Sequence, residues 1–370
     1  MARINVVGAG LAGLSFALSA KLRGHEVCIL DKASSSDVLP TLSSGVISIN
    51  HRSRLFLEKL DVLKEIDQSL INGFSNIYVI DSDGVGEINF GLDDADASEL
   101  GWIIDTVALK NSMLKTARKL KVEIVWEAAF EKEFFNCDLL VAADGPNSAT
   151  REALGIRTFG YDYHQIANVC LVETENPIPN TAFQWFGTKG PLAFLPLSIL
   201  GKYVAIWSSS QNYSLVEENI FENDINARTE NLLGKISAVG TLDCFPLQQK
   251  HALTYFSRGA ALIGDSAHTI HPLAGQGGNL GFADAEALAE EISFAELEGE
   301  DPGDRKILER YEKRRRFENR TFGIAMEGFH RLYCSDNLKI KLIRTWGMNL
   351  VKKSNSLKRL AMYIASGNVF

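Results

Sequence analysis

The sequence of 370 residues contains few cysteines, and none of them are spaced as metal ligands or as a redox pair. The five cysteines are scattered without any C-x-x-C motif; they are Cys28, Cys137, Cys170, Cys244 and Cys334. Paired or clustered cysteines are what structural zinc sites and dithiol redox centres need. The pattern therefore predicts no metal site and favours a reducing, cytoplasmic location.

Long apolar runs and a uniform charge are also lacking. No stretch of 18 apolar residues stands apart from the glycine-rich N-terminus, so we predict no transmembrane helix. The net charge of −8 hides an asymmetry, because residues 301–370 carry +9 and residues 1–300 carry −17. The acidic body and the absence of a nucleic-acid-binding motif argue against a nucleic-acid partner.

What the N-terminus does contain is a dinucleotide fingerprint. Residues 4–7 read as a strand, G-x-G-x-x-G follows, residues 14–23 have helical periodicity, and a second strand ends at Asp31. The glycines allow a tight turn, close approach of a diphosphate and close helix packing, while the acid suits the ribose hydroxyls. A merely structural glycine turn is the alternative, and NAD and FAD remain equally compatible. The predicted contacts are Gly8, Gly10, Leu11, Ala12, Gly13, Asp31 and Lys32.

The rest of the chain is organised around this unit. Residues 166–254 read as successive strands rich in aromatic and branched side chains, and residues after 284 read as helices. We predict an α/β fold in which a Rossmann-like nucleotide domain is interrupted by a mainly β substrate domain and followed by a helical C-terminal region. The predicted bounds are 1–72, 100–160 and 255–305 for the nucleotide domain, 73–99 and 161–254 for the β domain, and 306–370 for the helical region.

Two further motifs make the sequence more specific. Residues 140–148 read LVAADGPNS, and residues 262–279 read LIGDSAHTIHPLAGQGGN. Together with the fingerprint, this trio resembles the aromatic-ring flavoprotein monooxygenases, the p-hydroxybenzoate hydroxylase-like group. The runs HPLAGQG (271–277), GPLAFLPL (190–197) and YEKRRR (311–316) are most similar to the ubiquinone-biosynthesis hydroxylases.

The resemblance implies that the dinucleotide is FAD. Asp265 would accept a hydrogen bond from the ribityl chain, and Asp144-Gly145 would serve both the flavin and a transient NAD(P)H donor. Pro272 would lie beside the reactive C4a edge, and the loop leading into the next helix would stabilise charge on the reduced flavin. The implied cofactor contacts are Asp144, Gly145, Gly264, Asp265, Pro272, Gly275, Gly277, Gly278 and Asn279; of these, Pro272, Gly275 and Gly277 would form the catalytic environment, with no nucleophile.

Several alternatives remain open at this point. Asp144 and Asp265 could instead cap the segments that follow them. His268 and His271 suggest a metal or a base, but no third ligand is evident and a structural role is favoured. The family's usual flavin-side arginine or glutamine contacts are replaced by Ser43 and Val107, which puts the affinity for FAD in doubt.

The implied function is an FAD-dependent monooxygenase that hydroxylates an aromatic ring, a prenylated phenol of ubiquinone biosynthesis, with NAD(P)H and O2 through a flavin C4a-hydroperoxide. Trp185, Phe194 and Pro196 are candidate substrate contacts, against the simpler interpretation that they are core residues. The competing hypotheses are a flavoprotein reductase or halogenase on the same scaffold, and a weakly flavin-binding, non-catalytic assembly component.

The basic C-terminal region bears on partners. Residues 338–351 alternate basic residues with Leu342, Ile343, Trp346 and Leu350, as in an amphipathic helix that lies on an anionic membrane. We expect peripheral contact with the inner face of the membrane or with a quinone-biosynthesis complex. The alternative is an ordinary helix that packs on the body of the protein.

Overall fold

Strands and helices alternate through the first part of the chain, and helices alone follow residue 275. The structure is a computed structural model that describes residues 1–34, 45–95, 97–128, 131–215, 218–270 and 275–367. The helices are α1 (Leu11–Leu22), α2 (His51–Lys59), α3 (Thr106–Lys119), α4 (Ala149–Ala153), α5 (Glu218–Leu233), α6 (Gln276–Leu297), α7 (Arg305–Cys334), α8 (Leu338–Lys353) and α9 (Asn355–Ala365).

The strands form three sheets. In chain order they are β1 (Arg3–Val7), β2 (Glu26–Leu30), β3 (Val46–Ile49), β4 (Ile71–Phe74), β5 (Asn76–Asp81), β6 (Glu87–Gly91), β7 (Gly101–Asp105), β8 (Glu123–Val125), β9 (Leu139–Ala142), β10 (Thr158–Thr174), β11 (Thr181–Phe186), β12 (Leu192–Pro196), β13 (Lys202–Ser209), β14 (Ile236–Ala238), β15 (Asp243–Ala252), β16 (Phe256–Ser257), β17 (Ala260–Leu262) and β18 (His268–Thr269).

A six-stranded sheet with the order β16-β17-β9-β1-β2-β8 carries the nucleotide fingerprint. Strands β17, β9, β1, β2 and β8 run parallel to one another, and the edge strand β16 is antiparallel to β17. All four residues of β9 are fully buried, as expected for a parallel strand covered on both faces. The parallel arrangement places the loops that follow β1, β9 and β17 side by side at one edge.

A nine-stranded sheet with the order β18-β15-β10-β13-β12-β11-β5-β6, with β14 beside β10, forms the second layer. Helix α5 covers one face of it, where Phe221 and Ile225 join a buried cluster with Trp207. A three-stranded sheet, β3-β7-β4, lies near the other face, since Val46 of β3 packs against Leu195 and Leu197. The α/β fold with a β-rich insertion and a helical C-terminal region confirms the predicted fold class.

Helix α2 is short, because Asp61 adopts a left-handed conformation with φ of 58° that stops the helix after Lys59. Its start is fixed by Asn50, whose side chain accepts a hydrogen bond from the Ser53 N–H. Helix α5 was not predicted within the strand-rich region, because its polar face and weak apolar periodicity resemble those of a loop.

The C-terminal helices are attached to the β layer by a buried ion pair. Arg344 of α8 donates to both carboxylate oxygens of Asp81, with distances of 2.7 Å from Nε and 2.6 Å from Nη2. Both side chains are fully buried, and Arg344 also donates to the Tyr333 carbonyl at 2.9 Å. In the described residues, no helix is long and apolar enough to span a bilayer.

We predict that Asp81→Asn destabilises the protein by about 3 kcal/mol, because it leaves the Arg344 guanidinium buried without a counter-charge. Urea denaturation would measure the loss. The matched control is Glu87→Gln, which breaks the exposed pair that Lys352 of α8 makes with β6. Such an exposed pair contributes little, so this control should unfold close to the wild-type midpoint. Equal stability of both variants would contradict an anchoring role for Arg344.

Candidate active site

Three loops meet at the carboxyl edge of the six-stranded sheet. Gly8 follows β1, Asp144 follows β9 two residues later, and Gly264 follows β17. Strands β1, β9 and β17 are adjacent and parallel, so the three motifs found in the sequence become neighbours in space. In open parallel sheets, ligands bind in the crevice outside the carboxyl ends of the strands.

The first loop leads into an uncapped helix N-terminus. Gly10 is the N-cap of α1, no side chain caps the helix, and its first turn contains no acidic residue. The first intrahelical bond runs from the Leu14 N–H to the Gly10 carbonyl at 2.9 Å, so the three preceding N–H groups point beyond the helix. A Cβ built on Gly10 meets no atom within 4 Å. This open, electropositive cradle fits a diphosphate.

Gly8 and Gly13 are required for a different reason. Gly8 has φ of 110°, and a Cβ there would lie 2.4 Å from the Ala143 carbonyl oxygen. A Cβ on Gly13 would lie 2.0 Å from the Gly8 carbonyl oxygen. These glycines let the first loop lie against both α1 and the end of β9, whereas Gly10 leaves room for a ligand.

Asp31 lies at the end of β2, beside the same loop. One of its carboxylate oxygens accepts a hydrogen bond from the Ala9 N–H, and the other accepts one from the Ala33 N–H at 2.7 Å. A carboxylate has about four acceptor positions, so two positions remain for ribose hydroxyls. Lys32 follows and is exposed. Leu11 and Ala12 occupy the first turn of α1, where their N–H groups face the cradle.

A second uncapped helix N-terminus belongs to α6. Its N-cap is Gly275, which has φ of 64°, and its first turn contains no acidic residue. A Cβ on Gly277 meets nothing within 4 Å, while one on Gly278 would lie 2.3 Å from Cδ1 of Ile47. Gly277 therefore borders open space and Gly278 packs on β3. Ser43, His271 and Pro272 lie outside the described residues.

Helices α1 and α6 approach each other at the third loop. A Cβ on Gly264 would be 3.0 Å from Ala12 Cβ, and one on Gly281 would be 3.5 Å from the same atom. The two helix N-termini therefore lie on either side of the Gly264–Ser266 turn. An elongated ligand with an anionic centre and an electron-accepting ring can use both positive helix ends.

Asn279 positions the N-terminus of α6 rather than reaching outward. Its side-chain oxygen accepts a hydrogen bond from the Asn50 N–H at 2.9 Å, and its amide donates to the Ser48 carbonyl at 2.9 Å. The residue is buried. These bonds hold α6 against β3, so the sequence-predicted cofactor role of Asn279 would be exerted through the placement of the helix.

The two aspartates that follow strands behave differently. Asp144 accepts hydrogen bonds from the Ser148 hydroxyl and from the N–H and hydroxyl of Thr150, the latter at 3.1 and 3.0 Å. This geometry favours the capping alternative for Asp144. Its neighbour Gly145 has φ of 85°, and a Cβ there meets nothing within 4 Å.

The Asp265 residue is exposed, and its carboxylate has no hydrogen-bond or ion-pair partner among the described residues. The protein around it desolvates the carboxylate and raises its pKa, while His268 opposes that shift. An accessible carboxylate with open acceptor positions fits a polyol such as a ribityl chain.

A buried charged network holds the third loop in place. Asp284 of α6 accepts hydrogen bonds from the Gly264 N–H at 3.0 Å and from His268 Nε2. Its second oxygen accepts from Arg315 Nε at 2.7 Å and from the Asn319 amide at 3.0 Å. Burial alone would raise the pKa of Asp284, but the positive charges of His268 and Arg315 hold it well below its usual value. The carboxylate is therefore ionised at neutral pH.

This network assigns His268 a structural role, as the sequence favoured. No group of three histidine, cysteine or acidic side chains placed to bind a metal occurs within the described parts of the chain. Sequence reasoning did not identify Asp284, Arg315 or Asn319 as site residues. The available signals were a charged residue, Asp284, inside an otherwise apolar helix and Arg315 inside the YEKRRR run, and Asn319 lies one helical turn after Arg315.

Arg151 joins the second and third loops and was also missed. Its guanidinium donates to the Ser266 carbonyl at 2.9 Å and to the Pro146 carbonyl at 3.1 Å. The side chain is buried and has no acidic partner in the described structure. Arg151 therefore fixes the spacing between the Asp144 and Asp265 loops through neutral carbonyl groups.

A small pocket lies near the N-terminus of α6, and strand β3 contacts both of them. The pocket is partly open, and the space of about 280 Å³ between its lining residues is continuous with solvent. Ile47 and Ser48 of β3 pack on Gly278 and Gly275, and the preceding residue of β3 lines the pocket. The lining residues are Val46, Ser69, Leu70, Asn72, Ile103, Asp105, Leu197 and Ser198.

Two of the three predicted substrate contacts, Trp185 and Phe194, do not line this pocket. Trp185 and Phe194 are almost completely buried in the cluster beneath α5, on the opposite face of the nine-stranded sheet. Because side chains alternate along β12, Leu195 and the following Leu197 face the pocket side instead. Pro196 shares the parity of Phe194, but its carbonyl accepts a hydrogen bond from the pocket residue Asn72 at 3.0 Å.

Comparison with known proteins identifies the cofactor class. The profile of a family described as FAD binding domain matches residues 94–340, well over half of the chain, and a second profile with the same description matches residues 4–65. The chain belongs to the FAD-binding family. The open cradle at Gly10, the accessible Asp265 and the two uncapped helix ends fit FAD as the dinucleotide.

Two relatives extend the similarity along the whole chain. The human mitochondrial ubiquinone biosynthesis monooxygenase is 29% identical over 434 residues, which cover 98% of this chain and 92% of the relative. The Escherichia coli 3-demethoxyubiquinol 3-hydroxylase is 26% identical over 390 residues, 98% of either chain. The predicted resemblance to the ubiquinone-biosynthesis hydroxylases is confirmed.

Solved structures show the same fold. The p-nitrophenol 4-monooxygenase of Pseudomonas putida superimposes with a TM-score of 0.78 at 17% identity, covering 100% of this chain and 99% of that one. A flavin-dependent halogenase gives a TM-score of 0.72 at 16% identity, covering 98% of this chain and 76% of that one. The fold therefore serves more than one reaction and does not by itself select one.

We predict that Gly10→Ala weakens FAD binding at least about tenfold without lowering stability, because its Cβ enters the ligand cradle and not the protein. Titration of flavin fluorescence and urea denaturation would measure the two effects. Gly8→Ala should lower both FAD affinity and stability, since its Cβ meets the Ala143 carbonyl. Gly328→Ala, at an exposed interior position of α7 with nothing within 4 Å, should leave FAD affinity unchanged and raise stability slightly, because alanine is the better helix former. Unchanged FAD affinity of Gly10→Ala would refute the cradle.

His251 predicts an effect of pH on the stability of the protein. Its Nε2 lies 3.2 Å from the Tyr255 hydroxyl, beside the buried network around Asp284. Burial, and then the charges of His268, Arg316 and Arg320, lower the pKa of His251 from 6.5 to about 4. The His251 imidazole therefore binds a proton more tightly in the unfolded chain than in the folded protein. The stability contributed by neutral His251 is therefore complete above pH 6.5 and is lost as the pH falls from 6.5 to about 4.

Stability curves of His251→Gln between pH 4 and 7 should accordingly be flatter than those of the wild type. The control is His164→Gln, because the His164 side chain is 91% exposed and should leave the wild-type slope unchanged. If His251→Gln and the wild type lose stability in parallel over this range, His251 is not protonated differently in the folded and unfolded states.

Proposed function

We propose that this protein is an FAD-dependent monooxygenase that hydroxylates an aromatic ring. NAD(P)H and a proton would supply the reducing equivalents, one oxygen atom of O2 would enter the ring, and the other would leave as water. The observation that carries the proposal is the position of the pocket. Its wall residue Val46 directly precedes Ile47 and Ser48, which pack on the α6 N-terminus at the centre of the FAD-binding motifs.

The residues of the chain have separate tasks in this proposal. The α1 N-terminus would hold the diphosphate, Asp31 the adenosine ribose and Asp265 the ribityl chain. The α6 N-terminus would stabilise negative charge on the isoalloxazine ring, with Gly275 and Gly277 closest to it. Bound FAD would supply the redox chemistry that links NAD(P)H oxidation to O2 reduction.

The pocket would orient the ring and keep water away. Its walls combine Val46, Leu70, Ile103 and Leu197 with the polar side chains of Asn72 and Asp105. Apolar walls exclude water, and a few fixed polar groups orient a phenol hydroxyl. Asp105 also caps α3 by accepting a hydrogen bond from the Ala108 N–H at 2.8 Å, which fixes its carboxylate at the rim.

We further propose a prenylated phenol or quinone precursor as the substrate. The support is the similarity over 98% of the chain to relatives named for ubiquinone biosynthesis and for ubiquinol hydroxylation. The proposed substrate domain spans residues 73–99 and 161–254, which supply most of the nine-stranded sheet, and the proposed FAD-binding domain comprises 1–72, 100–160 and 255–305. A membrane-dissolved substrate would place the protein at a membrane surface or in a complex there.

The test measures flavin absorbance, substrate-stimulated NAD(P)H oxidation and product mass across a panel of phenols with and without prenyl chains. We expect flavin bands and a product that gains one oxygen atom. Oxidation of NAD(P)H without oxygen in the product would instead indicate a reductase. Absence of flavin bands even with added FAD would indicate a non-catalytic component.

A pocket variant adds a sharper test. Val46→Phe should lower kcat/KM by about tenfold or more while leaving the flavin spectrum intact, because it displaces the ring without touching the FAD motifs. Leu215→Phe is the matched control, since Leu215 is exposed beside α5 on the far side of the sheet. Wild-type kcat/KM for Val46→Phe would exclude this pocket as the substrate site.

A further inference from the structure

Helix α8 has two apolar faces, and only one of them is packed. Met348 and Arg344 are buried against the β layer, where Met348 packs with Ile88 and Tyr333. The opposite side carries five large apolar side chains that are between 47% and 71% exposed. These residues, Leu338, Leu342, Ile343, Trp346 and Leu350, are called the outer face of α8.

The five side chains form one continuous strip. At 100° per residue, they fall within an arc of about 140° centred near Trp346, opposite Arg344 and Met348. Helix α9 contacts α8 and adds the exposed Leu360 and Tyr363. A contiguous exposed apolar surface on a protein marks a binding surface, whereas isolated exposed apolar residues do not.

Within α8 and α9 the charged residues have a single sign. Residues 338–365 contain seven lysines and arginines and no acidic residue. Four of these cations are paired with acids elsewhere in the protein: Lys341, Arg344, Lys352 and Lys358. Lys339, Lys353 and Arg359 have no acidic partner in the described parts of the chain. Lys339 and Lys353 lie on the same side of α8 as Trp346.

We infer that the outer face of α8 docks on a membrane surface that contains anionic lipids. Apolar side chains and a tryptophan would enter the interface between headgroups and acyl chains, and the neighbouring lysines would reach the lipid phosphates. A protein partner fits less well, because the cores of protein interfaces are depleted in lysine, and here lysines flank the central tryptophan.

The docking helices are connected to the candidate substrate pocket. Met362 of α9 is buried in an apolar cluster that includes Ile103, and Val46 and Leu197 pack against the same cluster. Val46, Ile103 and Leu197 also line the candidate substrate pocket. Delivery of a prenylated substrate from the bilayer to this wall rests on the proposed function, whereas membrane docking does not.

The test is co-sedimentation of the full-length protein with vesicles, without substrate. Vesicles of phosphatidylcholine mixed with phosphatidylglycerol should bind it, and vesicles of phosphatidylcholine alone should bind it much less. The double variant Leu342→Gln, Trp346→Gln should lose at least about tenfold in affinity for the mixed vesicles. Lys339→Gln with Lys353→Gln should lose affinity as well, and added salt should reduce the difference from wild type.

The matched control is Phe294→Gln with Leu297→Gln, an exposed aromatic and leucine pair at the end of α6 that should bind vesicles like the wild type. All variants should hydroxylate a water-soluble phenol at wild-type rates, so a failure of docking and a failure of catalysis are distinguishable. Equal vesicle binding by the α8 variant and the wild type overturns the inference. So does a wild-type dimer in light scattering that the α8 variant abolishes, because the face would then join two copies.

Discussion

The site depends on how closely three backbone loops approach one another at the edge of the parallel sheet. The loop after β1 touches the end of β9 at Gly8 and Ala143, and the turn after β17 touches α1 at Gly264 and Ala12. At the first contact there is no room for a single additional carbon atom. Because the loops are this close, two helix N-termini lie on either side of one short turn. Their combined positive potential, rather than any single side chain, is what makes the crevice suitable for a dinucleotide.

Such close packing requires charged groups to be fixed behind it. Asp284 binds the Gly264 N–H from within α6 and is neutralised by His268 and by Arg315 of α7, while Arg151 ties the second loop to the third. A buried carboxylate without these partners would be costly, so the network makes the position of the third loop conditional on α7. The C-terminal helices are therefore part of the architecture of the site, although none of their residues belongs to a cofactor motif.

The sequence predicted what depends on local pattern and missed what depends on which side of a sheet a residue occupies. The glycine spacings, the strand before each motif and the helices after residue 284 follow from short-range chemistry and were found. The candidate substrate contacts Trp185 on β11 and Phe194 on β12 lie in the cluster beneath α5, and alternation along a strand does not by itself say which face α5 covers. Asp144 and Asp265 also look alike in sequence, and only their neighbours in space distinguish the capping carboxylate from the accessible one.

The orientation of α8 follows from the same reasoning. A helix with apolar and basic residues on both sides could present either side to solvent, but the bidentate pair of Arg344 with Asp81 fixes its rotation. That rotation buries the one arginine whose charge is neutralised and exposes Trp346 among lysines without partners. The basic residues of α8 therefore include two groups with different roles. Those paired with acids of the β layer attach the helix to the protein, and those without an acidic partner face outward. An ion pair far from the flavin motifs thereby decides which surface is available to a lipid bilayer.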